Sequence, residues 1–192
     1  MNNAPKNNEN ELSLLIEGCR QNKRGAQHKL FKLFYGSMFS ICVRYAADDD
    51  EAQDMLNEGF MKIFANIDKY RDTGSFEGWL KRIMVNAAID YKRKYKALAT
   101  NNIEYGEIAE TNIIGASENE AIAKMSADEL IKMIQELPPM SQTVFNLFVF
   151  DGYSHTEIAE TLNIKEGTSF WHLNNARNIL KEKIIKQIGY GR

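Results

Sequence analysis

Residues 153–177 read YSHTEIAETLNIKEGTSFWHLNNAR, and their reading decides the architecture. In the first half, Ile158, Ala159 and Leu162 recur at helical steps and form an inward face, with Ala159 small enough for a second helix to cross closely. Asn163 follows where a turn between crossing helices needs a left-handed residue, and asparagine tolerates that conformation best after glycine. Ile164 plugs the turn. A second helix is predicted from about Glu166, with Ser169, Leu173, Ala176 and Leu180 on its inner side. This spacing is that of a helix-turn-helix; an ordinary helical hairpin is the competing reading.

The outward side of the second helix is unusual. Stepping at about 100° per residue turns Trp171, Asn174, Asn175 and Asn178 away from the core and leaves Phe170, Arg177 and Lys181 on a flank. Asparagine pairs bidentately with adenine in the major groove, and a large apolar group covers a thymine methyl. Base contact is therefore expected from uncharged groups, with phosphate contact left to Arg177, Lys181 and backbone amides at the helix start. The alternative is that Phe170 and Trp171 meet a protein partner or another part of the chain.

Helical periodicity extends through almost the whole sequence. Leu30, Phe34, Met38, Ile41 and Tyr45 make one buried stripe, and no segment alternates as a strand does. Helices are predicted at about 11–21, 25–47, 50–67, 75–96, 123–137, 141–150, 154–162 and 166–186, so the fold class is all-α. Between them, ALATNNIEYGEIAETNIIGASENEA (97–121) holds five glutamates, two glycines and no basic residue, the composition of a flexible acidic linker. Pro138 and Pro139 end one helix and open the next. The expected organisation is a disordered start (1–10), a helical domain (11–96), the linker (97–122) and a four-helix domain carrying the helix-turn-helix (123–190).

Composition excludes several classes. The formal net charge is -2, but residues 1–100 hold 16 basic and 13 acidic residues, net +3, against 8 and 13 in the remainder, net -5. A uniformly basic nucleic-acid coat is therefore absent, while a local basic stripe over 81–96 is present. Cys19 and Cys42 lie in helical patterns as reduced core residues, and with His28, His155 and His172 scattered, no metal site is expected. The longest apolar run, VFNLFVF, is short, and the N-terminus lacks the pattern of a secretory signal, so a cytoplasmic protein without membrane insertion is expected.

Two further segments carry surface chemistry. In DDDEAQDMLNEGFMKIFANI (48–67), Leu56, Phe60, Ile63, Phe64 and Ile67 cluster on one side of a helix, and Asp50, Asp54 and Glu58 lie well away from them. Met61 projects from the acidic side, and an apolar residue amid acids marks a protein-contact surface, where a plain solvated ridge is the alternative. In FEGWLKRIMVNAAIDYKRK (76–94), Trp79, Leu80, Ile83, Met84, Ala87 and Tyr91 cover a broad core side. The other side carries Lys81, Arg82, Val85, Ile89, Lys92, Arg93 and, beyond it, Lys96: cations flanking two aliphatics, suited to DNA whose bases have left the stack. No nucleophile, acid/base pair or phosphate loop is found, so neither an enzyme nor a cofactor is expected.

Residues 137–180, LPPMSQTVFNLFVFDGYSHTEIAETLNIKEGTSFWHLNNARNIL, resemble the C-terminal domain of bacterial sigma factors of the extracytoplasmic-function (ECF) group. Residues 48–94 resemble the N-terminal domain of the same family, in the right order across a linker. The resemblance implies a transcription initiation factor that binds core RNA polymerase, directs it to promoters and helps melt the minus-ten element, with an anti-sigma factor as a further partner. It implies that Asp50, Asp54, Glu58 and Met61 dock on the clamp helices of the largest polymerase subunit. Minus-ten contacts are implied for Tyr70, in a pocket loop Ile67 to Asp72, and for Lys81, Arg82, Asn86, Lys92 and Arg93. Minus-thirty-five contacts are implied for Thr168, Phe170, Trp171, Asn174, Asn175, Arg177 and Lys181. The sequence departs from the family at Gln142, Lys165 and Ser169 and in a recognition helix poor in basic residues. A stand-alone helix-turn-helix regulator and a sigma-like interaction protein without promoter activity are the alternatives.

Overall fold

The computed structural model describes residues 4–71, 74–96 and 125–189, and the chain divides into two units, Met1–Tyr95 and Lys96–Arg192. No strand occurs among the described residues. The linker expected over 97–122 lies outside them.

The first unit opens with α1 (Ala4–Arg20), which starts before the predicted Glu11, inside the stretch 1–10 expected to be disordered. Its one breaker, Pro5, sits in the first turn, where a missing N–H costs nothing. At the turn into α2 (Arg24–Tyr45), a Cβ on Gly18 would lie 2.6 Å from that of Ala26, so only glycine lets the chain fold back so tightly. The stripe Leu30, Phe34, Met38, Ile41 and Tyr45 is buried as its spacing predicts. Helix α3 (Asp49–Asn66) starts at Asp48, whose side chain accepts from the Glu51 N–H at 2.8 Å, while the buried Glu51 carboxylate accepts from the Ala47 N–H at 2.6 Å. A 3-10 turn, Ile67–Lys69, leads to α4 (Phe76–Lys96). Where α3 crosses α4, a Cβ on Gly59 would overlap the sulfur of fully buried Met84.

The second unit is set by caps. Ser126 and Glu129 form a reciprocal capping box that starts α5 (Ala127–Gln135) three residues or more after the predicted onset, and Ser154 with Glu157 does the same for α7 (His155–Leu162). Between them, α6 (Pro139–Val149) takes Pro139 into its first turn. Asn163 adopts φ 54°, ψ 50°, the left-handed conformation, and the Ile164 N–H reaches the Ala159 carbonyl at 3.0 Å. Helix α8 (Glu166–Gly189) follows directly. Ile134, Leu137, Val144, Leu147, Ile158, Leu162, Leu173 and Ala176 fill the core between these four helices.

Candidate nucleic-acid interface

On α3, Asp50 and Asp54 are exposed, Glu58 is half-buried, and Met61, one turn further on the same face, is 73% exposed. Met61 is thus a single apolar side chain set among carboxylates on this face. Asp54 accepts a hydrogen bond from the Tyr91 hydroxyl of α4 at 3.3 Å, which steadies the ridge.

Helix α4 differs from its sequence reading. Val85, Ile89 and Lys92 are buried, at 2%, 1% and 4% exposure, so the apolar centre of the expected stripe belongs to the core and Lys92 is no free cation. The reason is that α4 is covered over a wider arc than one inner side allows. Lys81, Arg82, Asn86 and Arg93 remain exposed. Lys81 pairs with Glu77 at 2.8 Å, and Asp90 lies between Lys62 at 2.7 Å and Arg93 at 3.8 Å. Arg82 and Asn86, one turn apart, make no ion pair or hydrogen bond among the described residues.

Tyr70 also corrects its sequence reading as a base-stacking group. It is buried at 8% exposure, with its ring 4.9 Å from Phe76 and 5.6 Å from half-buried Trp79. Its hydroxyl donates to the Gly74 carbonyl at 2.7 Å, and its own carbonyl accepts from Arg20 at 3.0 Å. Tyr70 thus anchors the loop before α4 to the core; Asp72, at the end of the expected pocket, lies outside the described residues.

The recognition helix α8 is covered on two sides, which changes the roles of its polar residues. Asn175, expected to face outward, donates to the Ser141 hydroxyl of α6 at 3.1 Å, and that hydroxyl meets His172 Nδ1 at 3.0 Å. Burial lowers the His172 pKa to about 4, so the imidazole is neutral and completes a relay of polar groups between α6 and α8. Thr168 is buried rather than available to DNA, Trp171 is half-buried against His172, and Lys181 is half-buried and already engaged. Asn174 is half-buried and makes no hydrogen bond among the described residues. Phe170 is 49% exposed and stacks on His155 at 3.7 Å; His155 stacks in turn on Phe148 at 4.6 Å, and Arg177 lies 5.8 Å from the Phe148 ring centre.

Ser141, His155, Phe148 and His172 were not singled out by sequence reasoning. A usable signal existed for one of them: Ser169 falls on the inner stripe, and a buried hydroxyl requires a partner. His155 supplies it, Nδ1 to Oγ at 2.9 Å. Burial lowers the His155 pKa, opposed by the Glu166 carboxylate and reinforced by the Arg177 cation.

Two family models match the chain: Sigma-70 region 2 over residues 30–97 and Sigma-70 region 4 over residues 127–180. Similar proteins include the ECF RNA polymerase sigma factor SigW of Bacillus subtilis, 27% identical across 89% of this chain and 97% of that protein. The ECF RNA polymerase sigma-E factor of Haemophilus influenzae is also 27% identical, over 88% of this chain and 93% of its own length. The chain belongs to the ECF sigma factors. Region 2 of this sigma factor runs through α2, α3 and α4, and region 4 through α5 to the middle of α8. Its function is to direct RNA polymerase to promoters, without bond chemistry of its own. Among solved structures, the sigma factor RpoE of Bartonella quintana, crystallised with the anti-sigma factor NepR, shares the fold at a TM-score of 0.51 and 19% identity, over 83% of this chain and 96% of that one. No helix among the described residues is long and apolar enough to cross a membrane. The acidic excess of the sequence lies in the glutamates of 97–122, so the part that follows, with region 4, carries balanced charge.

Proposed function

We propose that three surfaces of this ECF sigma factor divide the work of initiation. The α3 ridge of Asp50, Asp54, Glu58 and Met61 binds the clamp helices of core polymerase through charge around one apolar contact. On α4, Arg82 and Asn86 hold the opened minus-ten strand, with Lys81 and Arg93 as flanking cations. On α8, Phe170, Asn174 and Arg177 meet the minus-thirty-five duplex, Phe170 and Asn174 at base edges and Arg177 at phosphate.

The observation that carries this reading is the state of Arg82 and Asn86: both are exposed on one turn of α4 and neither makes an ion pair or hydrogen bond among the described residues. A guanidinium left unpaired by the described residues is suited to a phosphate, and an amide beside it to a base edge. Lys81 and Arg93 are partly neutralised by Glu77 and Asp90, which concentrates the electrostatic contribution on Arg82. Extracting a base from the stack costs a few kcal/mol, and contacts made only with the single strand offset part of it. Tyr70 and Lys92 act on this surface only by holding its shape.

The work takes place in the cytoplasm, where core polymerase and promoters are, and an anti-sigma factor controls it, as the complex formed by the Bartonella relative suggests for a chain of the same fold. Run-off transcription with purified core polymerase on a randomised promoter library tests the reading. Initiation from a defined set of promoters is expected, with permanganate-reactive thymines near minus ten. Transcripts that do not depend on the added protein would overturn it.

A further inference from the structure

The helix-turn-helix carries an aromatic stack that ends on the exposed side of the recognition helix. His155, the first residue of α7, lies between Phe148 of α6 and Phe170 of α8, with ring centroids at 4.6 and 3.7 Å and interplanar angles of 29° and 27°. Its Nδ1 is also held by Ser169 Oγ at 2.9 Å, so the imidazole is fixed in position as well as in plane. His155 is buried and Ser169 fully so, whereas Phe170 keeps 49% exposure. Three helices thus converge on the His155 ring, and the more exposed end of the stack is Phe170, in the first turns of α8.

An aromatic side chain on the surface normally samples several rotamers. Stacking at 3.7 Å against a ring that is itself clamped removes that freedom. A rigid apolar plate on the N-terminal part of a recognition helix can touch one group in the major groove that is apolar, the thymine 5-methyl. We propose that His155 is a positioning residue for promoter recognition: it locks the Phe170 ring in place, so that the minus-thirty-five element contains one thymine whose 5-methyl that ring covers. This rests on the reading that α8 enters the major groove. Ser169, where the stripe calls for an apolar residue, is then the partner that satisfies Nδ1 of the clamp ring, while the stack between Phe148 and Phe170 sets its plane.

The groups facing His155 define which variants discriminate. Phe148 and Phe170 cover its faces, Ser169 holds Nδ1, and Glu166 and Arg177 act on it as charges. His155→Phe keeps a ring in the stack and drops the hydrogen bond; His155→Asn keeps a polar group and drops the ring. Holoenzyme is assembled from core polymerase and the full chain, and a promoter is obtained by selection from a randomised library. Each minus-thirty-five thymine is then replaced singly by deoxyuridine, which removes the 5-methyl and nothing else. Wild-type holoenzyme should lose about fourfold in affinity at one position, the worth of one buried methyl. Phe170→Ala should abolish that penalty, His155→Asn should reduce it below about twofold, and His155→Phe should retain it.

A flat deoxyuridine scan with wild-type holoenzyme that initiates normally overturns this inference and leaves the sigma-factor reading intact. No initiation from any selected promoter overturns that reading instead. A full penalty in His155→Asn shows that Phe170 needs no clamp and sinks the positioning role. Should His155→Asn not fold by circular dichroism, His155→Phe decides the matter, because loss of the penalty in that variant excludes stacking as the cause.

Discussion

Lowering the pH from 7 to 5 is expected to destabilise region 4 by about 2 kcal/mol through one side chain, His172. The imidazole is 7% exposed, its Nδ1 lies 3.0 Å from the Ser141 hydroxyl, and burial lowers its pKa from the ordinary 6.5 to about 4. Between those two values the unfolded chain binds a proton that the folded chain refuses. The contribution to stability is therefore complete above about pH 6.5 and is lost as the pH falls towards 4. At about 1.4 kcal/mol per pH unit, a drop from 6.5 to 5 amounts to about 2 kcal/mol. His155, whose pKa is also lowered by burial, acts in the same direction. Of the two tryptophans, Trp171 lies 4.9 Å from His172 and reports on region 4, and Trp79→Phe silences the other. Urea unfolding followed by Trp171 fluorescence at pH 7, 6 and 5, with and without His172→Asn, measures the effect. The asparagine amide can still meet Ser141 but does not titrate, so its pH dependence should be flatter by about 2 kcal/mol. Parallel pH profiles for the two proteins would refute the argument that the buried imidazole must stay neutral.

Three other outcomes follow from the geometry. Reversing Asp54 and Glu58 to lysine should abolish binding in a core polymerase titration while the thermal melt shifts little, because surface carboxylates contribute at most about 1 kcal/mol to folding; unchanged affinity moves the docking face elsewhere. Arg82→Ala should lower the salt slope of promoter binding by about 0.7 to 0.9 and slow opening, and an unaltered slope in a salt titration removes Arg82 from the DNA surface. Gly59→Ala should cost about 1 to 3 kcal/mol in a denaturant melt, because the added methyl meets the Met84 sulfur; wild-type stability would show that Met84 can turn aside.

Much of this was written in local sequence. The stripe on α2, the capping residues Ser126 and Ser154, Pro139 at the start of α6 and Asn163 in the left-handed turn each depend on neighbours within a few residues. The acidic ridge was legible for the same reason: Asp50, Asp54, Glu58 and Met61 are related by helical steps on one helix. The misreadings arose where a second inner face exists. A helix drawn by itself has one buried side, and that picture left Val85, Ile89 and Lys92 outside when they are inside.

Sequence by itself determined that the chain is helical, that it forms two units, and that the second contains a helix-turn-helix, because periodicity, caps and turn chemistry are short-range and additive along the chain. Tertiary structure decided what each polar side chain does. Asn175 and Asn174 are neighbours in sequence and alike in chemistry, yet one is spent on Ser141, 34 positions away, and the other makes no such bond. Tyr70 and Phe170 are both aromatic residues expected from the sequence to meet DNA, yet Gly74 and Arg20 hold the first in the core while His155 stacks on the second at the surface. The physical reason is that a hydrogen bond or a ring stack is settled by the atom that arrives opposite it, and that atom comes from another helix at a distance no local pattern encodes.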